Sequence, residues 1–218
     1  MPEFKKERYW GRYAAVYDDY AELVMGKGLR LLLGNKLSRE RDLGELVEFG
    51  CGTGYFTKAI AQNARRVLAT DLSDEMLGAA KANLEEYANV AIEKADCEGA
   101  LYPPESFDAV LMANVLHVIE NPEKALRECF RILKQGGLLI AISYTDYGMN
   151  WYDKVQLGLR YFLTFGMPPQ WGLRNFSPEA LRSAVEGIGF EIEELELIGE
   201  QPGAIYLKGR KKGTKPHA

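Results

Sequence analysis

The sequence is poor in the residues that characterise secreted, disulfide-linked or metal-binding proteins. Its 218 residues include three cysteines and two histidines, and the cysteines form no Cys-x-x-Cys pair. The residues at the start of the chain are charged and aromatic rather than apolar, so we expect no secretory leader. No apolar stretch approaches the roughly 20 residues that a membrane span needs. Because the cysteines are odd in number and scattered, we expect a reduced, cytoplasmic protein with no metal site.

Excess basic charge is also missing. The formal net charge is −4, whereas an enzyme that acts on nucleic acid usually carries a basic face. The charge therefore predicts no nucleic-acid partner. Basic residues concentrate in one run, residues 208–215, which we interpret as a solvated tail. The run contains Lys208, Arg210, Lys211, Lys212 and Lys215.

The chain does contain a regular alternation of two apolar patterns, without an internal repeat. Short apolar runs bounded by turn residues predict buried strands, and segments of helical period lie between them. Together they predict an α/β fold with a parallel sheet covered by helices on both faces. The predicted strands are Glu45–Phe49, Arg66–Thr70, Val90–Lys94, Phe107–Ala113 and Leu138–Ser143. The predicted helices between them are Tyr55–Asn63, Asp74–Tyr87 with Ser73 as N-cap, and Pro122–Leu133 with Asn121 as N-cap.

The rhythm changes toward the C-terminus. A helix beginning at Ser177 precedes two more predicted strands, Phe190–Ile198 and Ala204–Lys208. A tight turn at residues 199–203 joins these strands, so they should form a hairpin. The sheet is therefore predicted to have seven strands, mostly parallel, with an antiparallel C-terminal edge hairpin.

Two segments fall outside this alternation. Residues 1–40 look helical and precede the first strand, and residues 144–176 lie between the fifth strand and the last helix. We expect one domain over residues 1–218, with an N-terminal helical cap and this insertion. The insertion has two interpretations. It forms extra core or a dimer contact, or it forms a lid that shapes an apolar substrate pocket. The sequence is therefore compatible with a monomer and with a homodimer. It is rich in large apolar side chains: Tyr144, Tyr147, Met149, Trp151, Tyr152, Tyr161, Phe162, Phe165, Met167 and Trp171.

A glycine-rich loop follows the first predicted strand and opens the first helix of the alternation. Gly50, Gly52 and Gly54 alternate with Cys51 and Thr53, which removes side chains where the backbone turns sharply and where a ligand can lie against it. The N–H groups at the start of the following helix favour negative charge on that ligand. The dinucleotide-binding pattern G-x-G-x-x-G would need a glycine at position 55 or 57, and neither position has one.

Acidic residues accompany the loop. Glu48 precedes the first glycine by two residues, Asp71 ends the second strand and Asp96 ends the third. Asp71 comes about 20 residues after the loop, where a carboxylate can accept hydrogen bonds from ribose hydroxyls. The alternative role of Asp71 is that of an acid at a helix N-terminus. The alternative role of Asp96 is that of an acid in a strand-end turn.

This set of motifs resembles class I S-adenosylmethionine-dependent methyltransferases. The G-x-G-x-G spacing with Glu48 ahead of it is similar to their first motif, and residues 130–139 are similar to their R-x-L-K-P-G-G segment, with Gln135 in place of the proline. The resemblance covers about residues 45–142 and is closest to the small-molecule group that includes ubiquinone and menaquinone biosynthesis enzymes. It implies a Rossmann-like, doubly wound sheet, with S-adenosylmethionine as cofactor and S-adenosylhomocysteine as product.

The resemblance also implies where the cofactor binds. Asp96 would meet the adenine amino group, and the main chain at Cys97 the adenine ring. Tyr17 would approach the methionine end, and the stretch around Asn114 would pass beneath the sulfonium. Aromatic packing is the alternative role of Tyr17. The implied cofactor-binding residues are Tyr17, Glu48, Gly50, Cys51, Gly52, Thr53, Gly54, Asp71, Leu72, Met76, Asp96, Cys97 and Asn114.

Methyl transfer places few demands on catalytic side chains. The leaving group is a neutral thioether, so the protein mainly has to position the reactants and exclude water. A general base is needed only for a protonated acceptor, and the candidates are His117, Tyr144 and Asp146, with packing as the alternative role of His117. We predict in-line methyl transfer to a small, partly apolar acceptor through O, S, N or C. The alternatives are an RNA or protein methyltransferase and a non-catalytic cofactor-binding subunit.

Overall fold

A seven-stranded sheet forms the centre of the chain in the computed structural model, which describes residues 4–169 and 172–213. The strand order is β3-β2-β1-β4-β5-β7-β6, and β1 to β5 run parallel to one another. The strands are β1 Glu45–Phe49, β2 Arg66–Asp71, β3 Val90–Lys94, β4 Phe107–Ala113, β5 Leu133–Thr145, β6 Phe190–Ile198 and β7 Gly203–Lys211. The predicted α/β fold with a mostly parallel sheet is confirmed.

The antiparallel strand of the sheet is β7. It lies between β5 and β6 and pairs antiparallel with both. The predicted hairpin is therefore confirmed, although β7 lies inside the sheet and β6 forms the edge. The bounds of β1, β3, β4 and β6 agree with the predicted ones, whereas β5 begins at Leu133 rather than at Leu138.

Helices connect the strands, and several begin at the predicted caps. Ser73 Oγ accepts a hydrogen bond from the Met76 N–H, and Asn121 Oδ1 accepts one from the Lys124 N–H, which satisfies donors of the first helical turn. Within the described ranges, no helix has the length and hydropathy that crossing a bilayer requires. The helices are α1 Phe4–Gly11, α2 Tyr17–Met25, α3 Lys27–Leu37, α4 Tyr55–Ala61, α5 Asp74–Asn83, α6 Pro122–Ile132, α7 Trp151–Phe165 and α8 Pro178–Ile188.

Side chains of β1 alternate between two cores. Leu46 packs with α3, α4 and α5 on one face of the sheet, and Val47 and Phe49 pack with α6 and α8 on the other. Apolar residues toward both faces are expected for a parallel strand that is buried between helices. With both faces covered, the carboxyl edge of β1 to β5 is the place where loops from different strands can meet around a ligand.

The basic run belongs to β7 over residues 208–211, so its interpretation as a solvated tail is wrong there. Lys208 Nζ pairs with Glu40 at 2.8 Å. Lys211 is buried and donates to a main-chain carbonyl of β5 at 2.7 Å. Hydrogen-bond acceptors on neighbouring elements therefore take the place of water around these two ammonium groups. Lys215 lies outside the described residues.

The N-terminal helices and the insertion pack together as one unit, which we call the cap (α1, α2 and α7). Phe165, at the end of α7, lies among the rings of Trp10, Tyr13, Tyr17 and Tyr20, with centroid distances of 5.1 to 6.2 Å. The Tyr13 hydroxyl also donates to the Phe165 carbonyl. Edge-to-face contacts of this kind add to the burial of the rings, so they hold α7 against the first two helices.

The outer side of α7 leaves both interpretations of the insertion open. Trp151, Tyr152 and Phe162 are exposed, as a contact between two copies would require. Phe165 instead joins the cap, as a lid would require. Trp171 lies outside the described residues.

A buried hydrogen bond between the sheet and the segment after α3 gives a stability prediction. The Tyr206 hydroxyl donates to Glu40 Oε1 at 2.7 Å. Tyr206→Phe removes this donor from a buried carboxylate, so we expect the free energy of unfolding in urea to fall by about 1.5–3 kcal/mol. Tyr152→Phe is the matched control, since Tyr152 is 57% exposed. Equal stability of the two variants would contradict the assignment.

Candidate active site

A cavity of about 1200 Å³, including its mouth, opens at the carboxyl edge of the sheet under the cap. Its walls come from the loops after β1 to β4, the end of β5, and helices α1, α2 and α3. All the predicted cofactor-binding residues except Gly54 line it, and His117 and Tyr144 do too. The structure therefore brings together residues that the sequence separates by more than one hundred positions.

The glycine loop forms the cavity wall after β1. Gly50 and Gly52 have φ angles of 68° and 55°, a region that side chains other than glycine rarely adopt. A Cβ at Gly50 would lie 2.3 Å from Val115 Cγ2, whereas a Cβ at Gly52 would meet open space. Gly50 therefore allows close packing and Gly52 leaves room for a ligand. A Cβ at Gly54 would meet Leu84 at 2.7 Å, so Gly54 serves the packing of α4 on α5.

Asp71 connects the glycine loop to the end of β2. Its Oδ2 accepts a hydrogen bond from the Gly52 N–H and its Oδ1 one from the Ser73 N–H, each at 2.9 Å. Burial raises the pKa of Asp71, and these N–H groups oppose the rise. Each carboxylate oxygen can accept more than one hydrogen bond. Asp71 therefore supports the start of α5 and faces the cavity at the same time.

Glu48 lies on β1 beside the loop and is 1% exposed. The Thr57 hydroxyl donates to its Oε2 at 2.6 Å. Burial, together with the nearby carboxylate of Asp71, raises the pKa of Glu48 to about 7. Glu48 can consequently change its charge at neutral pH when its surroundings change.

Asp96 and Cys97 border the cavity at the end of β3. Asp96 Oδ1 accepts a hydrogen bond from the Glu98 N–H at 2.8 Å, which is the strand-end turn considered as its alternative role. Burial raises the pKa of the Cys97 thiol, and it also raises the pKa of the Cys51 thiol. Both thiols are therefore neutral and unsuited to nucleophilic chemistry.

The ends of β4 and β5 form the opposite side of the cavity. Asn114 has a φ of 60°, and its Oδ1 accepts a hydrogen bond from the Tyr144 N–H at 3.1 Å. The His117 ring lies 6.0 Å from the Tyr144 ring. Burial lowers the pKa of His117 to about 4 and raises the pKa of Tyr144, so both rings are neutral at pH 7. His117 Nδ1 is buried and has no hydrogen-bond partner within the described residues.

Arg30 belongs to the site and Asp18 supports it from α2, and neither residue was predicted from the sequence. Arg30 lines the cavity and donates to Asp18 Oδ1 at 2.6 Å from Nη2. Asp18 also accepts a hydrogen bond from the Thr53 hydroxyl at 2.9 Å. The sequence contained an indication that Arg30 is buried, because Arg30 lies beside Leu29 and Leu33 on the apolar face of α3.

Asp146 does not line the cavity. The chain turns directly after β5, with the Met149 N–H bonded to the Asp146 carbonyl at 3.0 Å. The carboxylate accepts hydrogen bonds from Lys154 on α7 and from Asn175. The structure therefore separates Asp146 from the other two predicted catalytic candidates.

A Rossmann-like sheet with a glycine loop after β1 and acids at the ends of β2 and β3 defines a class of α/β proteins that bind a nucleoside-containing cofactor. Residues 47–141 match a family model described as a methyltransferase domain. Over this segment the chain is therefore similar to S-adenosylmethionine-dependent methyltransferases, which implies S-adenosylmethionine as its cofactor.

Two curated relatives and one solved structure illustrate the similarity. A demethylmenaquinone methyltransferase of Tropheryma whipplei is 30% identical over 162 residues, which cover 73% of this chain and 65% of that protein. A ubiquinone biosynthesis O-methyltransferase of Methylococcus capsulatus is 29% identical over 74% of this chain and 70% of its own length. The chain thus spans less than two thirds of the first relative.

The solved structure supports the fold. It is an S-adenosylmethionine-dependent methyltransferase from Thermotoga maritima, with a TM-score of 0.73 and 22% sequence identity. The superposition covers 94% of this chain and 99% of the other.

The raised pKa of Glu48 makes protein stability depend on pH. The folded pKa of about 7 exceeds the ordinary 4.5, so the stability that this group contributes is present below pH 4.5 and is lost as the pH rises through 7. Glu48→Gln cannot ionise. We expect it to be more stable than the wild type by up to about 3 kcal/mol at pH 8, with the difference vanishing near pH 4.5.

Urea denaturation between pH 4.5 and pH 8 measures this difference. Glu86→Gln is the matched control, because Glu86 is exposed on the surface, and we expect its difference from the wild type to stay constant with pH. A constant difference for Glu48→Gln as well would show that folding does not raise the pKa of Glu48.

Proposed function

We propose that this protein transfers the methyl group of S-adenosylmethionine to a small, partly apolar acceptor by in-line displacement at carbon. The observation that carries the proposal is that one cavity joins the glycine loop, Asp71 and Asp96 to an aromatic compartment beneath the cap. A cofactor and an acceptor that react by direct displacement have to share one water-poor space. The acceptor atom is O, S, N or C.

The residues present fit the nucleoside part of the cofactor. Asp71 lies where its free lone pairs can accept from the ribose hydroxyls. Leu72 and Met76 give an apolar wall for the adenine, and Asp96 with the Cys97 N–H offers an acceptor and a donor for its edge. Gly52 leaves open space next to these groups, so the main chain can approach the ligand closely.

The charges of the cavity fit the reactive end. When bound, S-adenosylmethionine supplies an electrophilic methyl group on a sulfonium and leaves as neutral S-adenosylhomocysteine. Glu48, with its pKa of about 7, can ionise beside this cation. Tyr17 and Trp10 line the cavity from the cap and exclude water there. Burial raises the pKa of Tyr17 to about 12, so its hydroxyl stays a neutral donor.

The acceptor compartment is formed by the loop after β4, the end of β5 and the cap. Its lining is largely apolar, and His117 and Tyr144 supply polar atoms. A histidine with a pKa of about 4 is a weak base at pH 7, so it suits hydrogen bonding to the acceptor better than proton removal. The names of the two curated relatives, which concern menaquinone and ubiquinone biosynthesis, support an aromatic, apolar acceptor.

Isothermal titration calorimetry with S-adenosylmethionine and S-adenosylhomocysteine tests cofactor binding. We expect Asp71→Asn to weaken S-adenosylmethionine by about tenfold or more, because hydrogen bonds to a charged group contribute about 1.5–3 kcal/mol. Asp74→Asn is the matched control, since the Asp74 side chain is 70% exposed at the start of α5. An unchanged affinity of Asp71→Asn would remove Asp71 from the site, and no binding of either ligand at millimolar concentration would refute the proposal.

Turnover is tested by incubating the protein with a metabolite extract and S-adenosylmethionine carrying a deuterated methyl group. Mass spectrometry should detect a small molecule that gains the label in a wild-type reaction and gains it more slowly with Asp71→Asn. S-adenosylhomocysteine should accumulate in step with the product. Cofactor binding without any labelled small molecule would favour a non-catalytic subunit or a macromolecular acceptor instead.

A further inference from the structure

We propose that Arg30 binds a carboxylate inside the cavity. The inference rests on the proposed function and deepens it, because it assigns a residue to an anionic group of the cofactor or of the acceptor. Arg30 is in α3, which precedes the glycine loop, and its side chain reaches the cavity next to residues from the cap and from β5.

The position of Arg30 requires compensation for its charge. Its side chain is 2% exposed, and it adjoins Leu29 and Leu33, which pack into the core on the same helix. An arginine is seldom buried unless its charge is paired and its N–H groups are bonded. Burial lowers the pKa of Arg30, but the hydrogen bond to Asp18 and electrostatic interactions together outweigh burial and leave the pKa above its ordinary value.

The compensation within the described residues is incomplete. A guanidinium carries five N–H donors, and the described hydrogen bonds are Nη2 to Asp18 Oδ1 at 2.6 Å and Nη1 to the Asp18 carbonyl at 2.8 Å. Arg30 Nε is buried without a partner. Asp18 divides its carboxylate between Arg30 and the Thr53 hydroxyl. Donor capacity therefore remains on a fixed cation.

The surroundings of Arg30 favour an anion as the missing partner. The guanidinium carbon lies 3.8 Å from the centre of the Tyr55 ring, and this cation–π contact holds the group in place. Among the described residues that line the cavity, Arg30 is the one lysine or arginine, whereas the acids Glu48, Asp71 and Asp96 line other parts of it. Glu48 suits the cationic part of the cofactor, and Arg30 suits a carboxylate.

Two ligands can supply this carboxylate. The amino-acid end of S-adenosylmethionine carries one, and Asp18 connects Arg30 directly to Thr53 of the glycine loop. An acidic acceptor could carry the other, because Arg30 lines the same cavity as Tyr144 at the acceptor side. Both cases involve the same chemistry, a rigid guanidinium that donates to carboxylate oxygens.

Calorimetry with ligand pairs separates the two sources. Decarboxylated S-adenosylmethionine keeps the sulfonium and the amino group and lacks only the carboxylate. If the cofactor supplies the carboxylate, Arg30→Met weakens S-adenosylmethionine by about tenfold or more and leaves the decarboxylated ligand within about twofold. If the acceptor supplies it, Arg30→Met leaves both within twofold and abolishes binding of benzoate, but not of benzamide, to the complex with S-adenosylhomocysteine.

Asp18→Asn is the matched control, because it breaks the same ion pair and keeps the cation. A purely structural role of Arg30 would give equal losses in Arg30→Met and Asp18→Asn, and equal losses for ligands with and without a carboxylate. Either result overturns the proposal. If Arg30→Met does not fold, the affinities of the wild type test the proposal. The proposal is overturned if the wild type binds the ligand with a carboxylate no more tightly than the ligand without one in both pairs. Failure of both S-adenosylmethionine and its decarboxylated form to bind refutes the proposed function instead.

Discussion

The strand order determines where a ligand can bind, because the chain changes its direction of travel across the sheet between β1 and β4. From β1 the chain proceeds to β2 and β3, and from β4 it proceeds to β5 on the other side. The helices after β1 and β4 therefore pack on opposite faces, and a crevice opens between the carboxyl ends of these strands. The parallel register of β1 with β2 then places Asp71 beside Gly52, so the hydrogen bond between them follows from the sheet.

Buried charges at this crevice are stabilised in different ways. Asp71 accepts two main-chain N–H groups, and Arg30 pairs with Asp18. Glu48 is bonded to a hydroxyl, and burial raises its pKa to about 7. A cation next to Glu48 would lower that pKa again, since an opposite charge favours the ionised form. A cationic ligand beside Glu48 would thus reduce the electrostatic cost of burying this carboxylate.

Sequence patterns predicted the sheet well because local preference and tertiary environment agree there. The apolar runs of β1 and β4 end where turn residues begin, so their bounds were correct. Contacts between the cap and the glycine loop were not predictable, because Asp18 and Thr53 lie 35 positions apart. No helical or strand periodicity relates two positions in different elements. Whether an arginine such as Arg30 is buried depends on the helix that packs over it. Asp146 is a suitable residue type for catalysis, but the turn after β5 directs it toward α7.

The start of α2 links the cap to the electrostatics of the site. Tyr17 lines the cavity and contacts Phe165, whereas the next residue, Asp18, reaches Arg30 and the glycine loop. Successive residues of a helix point roughly 100° apart, so both contacts are possible only when α2 lies across the cavity. The cluster around Phe165 holds α2 in that position. The cap therefore supplies the carboxylate that pairs with the buried Arg30, so the placement of α2 sets the balance of charge in this part of the cavity.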